Sequence, residues 1–121
     1  MPINKPWTAY AETAPKAIPG TLGVYELGDA DGRVLYIGCA GGRSLFGLRG
    51  AIGGHFGVGE PNPVIRERAR LFRYEVNTNY LVRRVELLSR CREDQGRLPD
   101  GNEASSEPLP PLARYNWKSS P

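Results

Sequence analysis

The sequence predicts a small α+β domain, with one three-stranded antiparallel-type sheet in β-β-α-α-β-α order and helices around it. Three observations predict it. Two β-rich runs, residues 21–27 and 33–38, flank Gly28-Asp29-Ala30-Asp31-Gly32. Gly and Asp tolerate positive φ and bond back to their own backbone, so this spacer reads as the turn of a β-hairpin. Residues 71–77 alternate, with Phe72, Tyr74 and Val76 on one side and Leu71, Arg73, Glu75 and Asn77 on the other. That period of two reads as a half-buried third strand. Finally, residues 80–95 carry Leu81, Val85 and Leu88 at helical spacing, with Val82, Leu87 and Cys91 widening the stripe.

The length of 121 residues sets one domain. Residues 1–20 hold four prolines and little periodicity, and read as an N-terminal arm, either pinned to the body by Trp7 and Tyr10 or a floppy leader. Residues 21–96 form the domain. Residues 97–121 read as a Pro-rich tail, neither helix nor central strand, whose Tyr115 and Trp117 pack back onto the body. Between hairpin and third strand, Ser44 reads as the cap of a short helix over residues 45–52. Residues 53–61 read as a loop. Asn62 caps a second short helix, with Pro63 at its first position. Thr78 or Asn79 caps the last helix, and Gly96 stops it.

The net charge of +3 permits a polyanionic partner without demanding one. Eight arginines between Arg66 and Arg92 concentrate the positive charge in one third of the chain; the run over residues 66–73 reads first as a solvated face, with a DNA or RNA track as the alternative. Two cysteines, Cys39 and Cys91, make no disulfide scaffold and read as reduced thiols. One histidine, His55, rules out a Cys/His metal cluster. There is no apolar run of membrane-spanning length and no signal-peptide core, so the expected location is cytoplasmic, with no membrane partner.

The two strand motifs Gly23-Val24-Tyr25 and Tyr36-Ile37-Gly38, ten residues apart, together with the element order, resemble the GIY-YIG nuclease superfamily. Val24 stands where Ile is usual. The resemblance covers residues 21–95 and a tail segment, Arg114-Tyr115-Asn116, similar to one in the excision-repair branch. It implies a metal-dependent endonuclease acting on nucleic acid, DNA first, with Mg²⁺ or Mn²⁺ as cofactor. In that mechanism Tyr25 is the base, Tyr36 orients water or phosphate, and Arg49 meets the scissile phosphate. Glu86 holds the metal. Arg43, in the glycine loop after the second strand, competes with Arg49 for its role. Arg43, His55 and Asn116 are the further nucleic-acid contacts. Cys39 stands where many relatives carry Lys or another hydrogen-bonding group.

Each residue also has a plainer reading. Tyr25 and Tyr36 serve equally as strand aromatics, Glu86 as an ion-pair partner of Arg83 or Arg90 on its own helix, and His55 as a solvated loop side chain. The alternative function is a catalytically weak or inactive nucleic-acid-binding module of the same fold. The exposed edges of a three-stranded sheet leave a homodimer, or a protein partner supplying specificity, open.

Overall fold

The computed structural model describes residues 3–11, 14–41, 46–57 and 59–104. The glycine loop with Arg43 and Ser44 and the tail with Asn116 lie outside the described residues. The chain runs β1 (Thr8–Ala9), a 3-10 turn (Ala14–Ala17), β2 (Gly23–Gly28), β3 (Val34–Ala40), α1 (Gly47–His55), α2 (Pro63–Arg68), β4 (Leu71–Val76), α3 (Tyr80–Gln95) and α4 (Asp100–Glu103). The class is α+β. The sheet has four strands rather than three, in the order β1-β4-β2-β3, with every pair antiparallel. The extra strand comes from the N-terminal arm, where Thr8 pairs with Phe72 and Ala9 with Leu71.

The hairpin forms at the Asp-Gly spacer. Asp29 Oδ1 accepts from the N–H groups of Asp31 and Arg33, and Gly32 takes φ 83°. β2 then lies between β3 and β4 and is buried at all six positions. Side chains alternate across a strand, so β2 serves two cores at once. Tyr25 and Leu27 enter a cluster with Leu48 and Ile52 of α1, Ile65 of α2 and Phe72 of β4. Val24 enters a second cluster with Ile37 and with Leu87 and Leu88 of α3. The ladder slips between Leu27 and Gly28: Leu27 opposes Tyr36 and Gly28 opposes Val34, leaving Leu35 as the extra residue of a bulge.

The helix caps follow the sequence in part. Asn62 Oδ1 accepts from the N–H groups of Val64 and Ile65, with Pro63 next. Gly96 closes α3 at φ 76°. Asn79 occupies the cap position of α3 without a side-chain bond; its N–H instead donates to Asn77 Oδ1. α1 starts later than expected, at Gly47, and extends three residues further, to His55. Packing of Leu48 and Ile52 at full burial carries it through the glycines that read as a break. In α3, Val85, Leu87 and Leu88 are buried as expected, with Arg84 and Ser89 beside them, whereas Leu81 and Val82 are exposed.

The start of the Pro-rich segment is also not irregular throughout. Asp100–Glu103 makes one helical turn against β3. Its Asn102, buried, accepts from the Ile37 N–H at 2.8 Å and donates to the Ile37 carbonyl at 3.0 Å. One amide thus takes the place of a neighbouring strand on the outer edge of β3. Gly101 fits there because a Cβ would lie 2.5 Å from the Leu35 carbonyl oxygen. The edge expected to be open for pairing is therefore closed at Ile37. Asn102→Ala strands both Ile37 backbone groups, so we expect a loss of about 2–3 kcal/mol in urea unfolding, with an unchanged m value.

Candidate active site

The two tyrosines lie on the α1 side of the sheet. Tyr25 opposes Gly38 in the hairpin, and Leu27 opposes Tyr36, so both phenols project from one face two positions apart. Their ring centroids are 6.3 Å apart. The space for them comes from Gly38: a Cβ there would sit 2.5 Å from Tyr25 Cζ and Oη and 2.8 Å from Tyr36 Cε2. The glycine is a floor on which Tyr25 lies. The same alternation puts Cys39, opposite Val24, with the cluster under α3. The thiol is thus across the sheet from the phenols.

His55 arrives from the last turn of α1, at i+7 from Leu48 and i+3 from Ile52, on the stripe that faces the sheet. Its Nε2 is 2.7 Å from Tyr25 Oη. Its ring lies 5.2 Å from that of Tyr36 and 5.5 Å from that of Tyr25. It is not the solvated loop side chain of the plainer reading. The other ring nitrogen, Nδ1, is 3.0 Å from Glu60 Oε2. Burial pushes the His55 pKa below its usual value, against the pull of the Glu60 charge and hydrogen bond. His55 is therefore neutral at pH 7, with one nitrogen free to accept a proton.

The residues expected around the tyrosines divide. The structure brings Tyr25, Tyr36 and His55 together. Arg49 is exposed on α1 and gives its Nε to the Ile18 carbonyl at 2.8 Å, pinning the helix to the N-terminal arm. Glu86 lies on α3, where its Oε1 takes the Arg83 Nη1 at 2.6 Å. Arg83 in turn binds both oxygens of Glu75 on β4, which opposes Val24 and so faces α3. The helix-local pairing of Glu86 with Arg83 is realised. Arg43 and Asn116 fall outside the described residues.

A carboxylate oxygen is the right donor for Mg²⁺, but Arg83 is the competing cation on Glu86, and the pair sits under α3 rather than beside His55. Among the described residues, no three His, Cys, Asp or Glu side chains gather as a metal cage.

Glu60 is the participant the sequence did not offer. Nothing local marks it: it stands between Gly59 and Pro61 in what reads as loop, and only the fold brings it to His55. Beside this group opens a cleft of about 290 Å³, lined by Tyr36, His55, Glu60, Pro61, Asn62, residues of α2 and Ala104, which follows α4. Tyr25, His55 and Glu60 are hydrogen-bonded in series, with His55 and Glu60 at the cleft and the Tyr25 phenol buried behind them, and such a series can pass a proton along it. Gly38→Ala drives a methyl into the Tyr25 ring. We expect about 1–3 kcal/mol of destabilisation in thermal or urea unfolding, and loss of the Tyr25–His55 hydrogen bond by NMR.

Comparison with protein-family models matches residues 1–94 to the family described as "Domain of unknown function (DUF7508)". That is most of the chain, and the chain belongs to this family. No curated protein and no solved structure matches it.

Proposed function

We propose that this member of the DUF7508 family hydrolyses phosphodiester bonds of nucleic acid, DNA first, with Tyr25 as the base that activates water. One observation carries the reading: the Tyr25 hydroxyl is 2.7 Å from a neutral, half-buried imidazole nitrogen. A lone phenol titrates near 10 and is a poor base at pH 7. A phenol that passes its own proton to His55 as it takes one from water avoids that handicap. The proton from the attacking water moves to Tyr25 Oη, the phenolic proton moves to His55 Nε2, and the water oxygen bonds to phosphorus. The sugar oxygen leaves and collects the proton from His55 or from solvent. Tyr36, its ring tilted against the same imidazole, walls the cleft and orients the phosphate.

The resemblance of the two strand motifs to GIY-YIG nucleases supports this reading, and the net charge of +3 is compatible with a polyanionic partner; a DNA partner and an intracellular setting are part of the proposal. Arg49, held at its stem by Ile18, and Arg43 are the cations proposed to meet the phosphoryl oxygens. A Mg²⁺ or Mn²⁺ ion, if bound, would take Glu86 from Arg83 and supply positive charge. The pairing of Arg49 and Glu86 with other groups favours the second reading, a binding module of the same fold. Among the described residues, no helix is long and apolar enough to cross a membrane.

Tyr25→Phe should lower cleavage of a nicked or branched DNA substrate by about 10²–10⁴-fold while leaving the gel-shift affinity in place. Purified wild-type protein that shifts DNA and RNA but cuts neither, with Mg²⁺, with Mn²⁺ or with chelator, would leave only the binding module. The acidic limb of the rate profile should lie below pH 6.5, because burial lowers the His55 pKa and the rate falls only as the ring gains its proton.

A further inference from the structure

We infer that Glu60 is the positioning residue of this site: it fixes which His55 nitrogen carries the proton, and thereby the direction in which the Tyr25 proton can move. The inference rests on the relay proposed above for its catalytic consequence, but its structural part stands without it.

An ionised carboxylate accepts hydrogen bonds and donates none. Glu60 Oε2, 3.0 Å from His55 Nδ1, therefore requires the ring proton on Nδ1. In a neutral imidazole the second nitrogen then has only its lone pair to offer. The 2.7 Å contact at Nε2 must be a bond donated by the Tyr25 hydroxyl. With the opposite tautomer, Nε2–H would donate to the phenol oxygen, and Tyr25 could not release its proton to the ring. When the relay runs, the imidazolium it creates is half-buried, and Glu60 is the counter-charge already in contact with it.

Glu60 is held for this role rather than resting there as a mobile surface carboxylate. Its side chain is 9% exposed and that of His55 17%. Its second oxygen, Oε1, accepts from the Asn62 N–H at 3.2 Å, and its carbonyl accepts from Arg66 Nη1. Asn62 is fixed in turn, capping α2 with Oδ1 and giving Nδ2 to the Gly101 carbonyl at 2.8 Å. Gly59, at φ 90°, makes the turn that delivers Glu60. The carboxylate is thus tied to α2 and, through Asn62, to α4. Among the described residues, Tyr25 from β2, Tyr36 from β3 and Glu60 are the ionisable groups in contact with the ring.

The arrangement also says what an isosteric change does. In Glu60→Gln, the single remaining oxygen is claimed by the Asn62 N–H, which has to find an acceptor. The amide NH₂ is then turned to His55 Nδ1, which must become the acceptor, and the proton moves to Nε2. A serine-protease triad whose aspartate is made an asparagine loses activity by the same tautomer reversal.

His55 is the only histidine in the chain, so its ring nitrogens can be read by ¹⁵N NMR of the whole protein without ambiguity. We expect the wild-type ring to carry its proton on Nδ1 and the Glu60→Gln ring on Nε2, the latter with a lower pKa. For DNA cleavage, Glu60→Gln should lower kcat by about 10²–10⁴-fold with KM little changed, a split that loosened packing would not give. A wild-type ring protonated on Nε2 overturns the inference, and that measurement needs no variant to fold. So does a folded Glu60→Gln protein that keeps the wild-type tautomer and pKa. If the wild-type protein cuts no nucleic acid, the hydrolysis reading falls, while the tautomer measurement still decides the role of Glu60.

Discussion

Burial of β2 on both faces is the constraint that the remaining structure obeys. A strand hydrogen-bonded on both edges and covered on both faces can hold no charged or polar side chain without a partner. Tyr25 meets His55, and Glu26, 4% exposed, meets Arg73 Nε at 2.6 Å. The two polar residues are neighbours in sequence and so face opposite ways. The sheet therefore separates the Tyr25–His55 hydrogen bond on the α1 side from the Glu26–Arg73 ion pair on the α3 side. Burial raises the Glu26 pKa despite Arg73, so this carboxylate is kept at a cost. A buried pair of this kind is weak evidence of net stabilisation, but removing either partner would leave the other charge in the core.

The N-terminal arm and α4 are what make so small a sheet sufficient. Trp7 lies over the Arg73 guanidinium at 4.0 Å and against Gly28, where a Cβ would come within 2.9 Å of the indole. Ile3 and Ile18, both buried, put one residue of the arm into each core. At the opposite edge Asn102 satisfies Ile37. A domain of about a hundred residues has little core to spare, and here segments without long periodic patterns close both edges. That closure also couples the site to the periphery. Asn62 bonds Gly101 on the turn that carries Asn102, and the same Asn62 holds Glu60.

The hairpin, the Asn62-Pro63 cap and the extent of α3 were legible in the sequence because each rests on local chemistry: Asp-Gly turn residues, a cap with proline behind it, a sixteen-residue apolar period ended by glycine. What was not legible depended on partners distant along the chain. Gly53-Gly54 reads as a break, yet α1 continues to His55 because Leu48 and Ile52 are anchored to the sheet. Leu81 and Val82 match a helical stripe but sit in the first turn of α3, beyond the end of the surface it covers. Asn102 reads as a loop residue, since its partner is 65 positions away. Of the site, the two tyrosines could be read from the paired motifs. Glu60 could not, because its partner His55 was itself read as loop.

The position after Gly38 illustrates how register overrules proximity. Cys39 directly follows the motif glycine, and its chemistry looks like a departure at the heart of the site. Alternation removes that difficulty: the residue after Gly38 opposes Val24 and belongs to the α3 core. The position that matters to Tyr25 is Gly38 itself, which the phenol covers too closely for any side chain. The ring can lie flat there, with its hydroxyl carried to the end of α1, only while that position has no Cβ. A tyrosine lifted from this floor would keep its strand and its core but lose its 2.7 Å approach to His55. The chemistry of the site is thus set by an absence of side chain on β3 and by the length of α1, and neither is a property of the tyrosine motif alone.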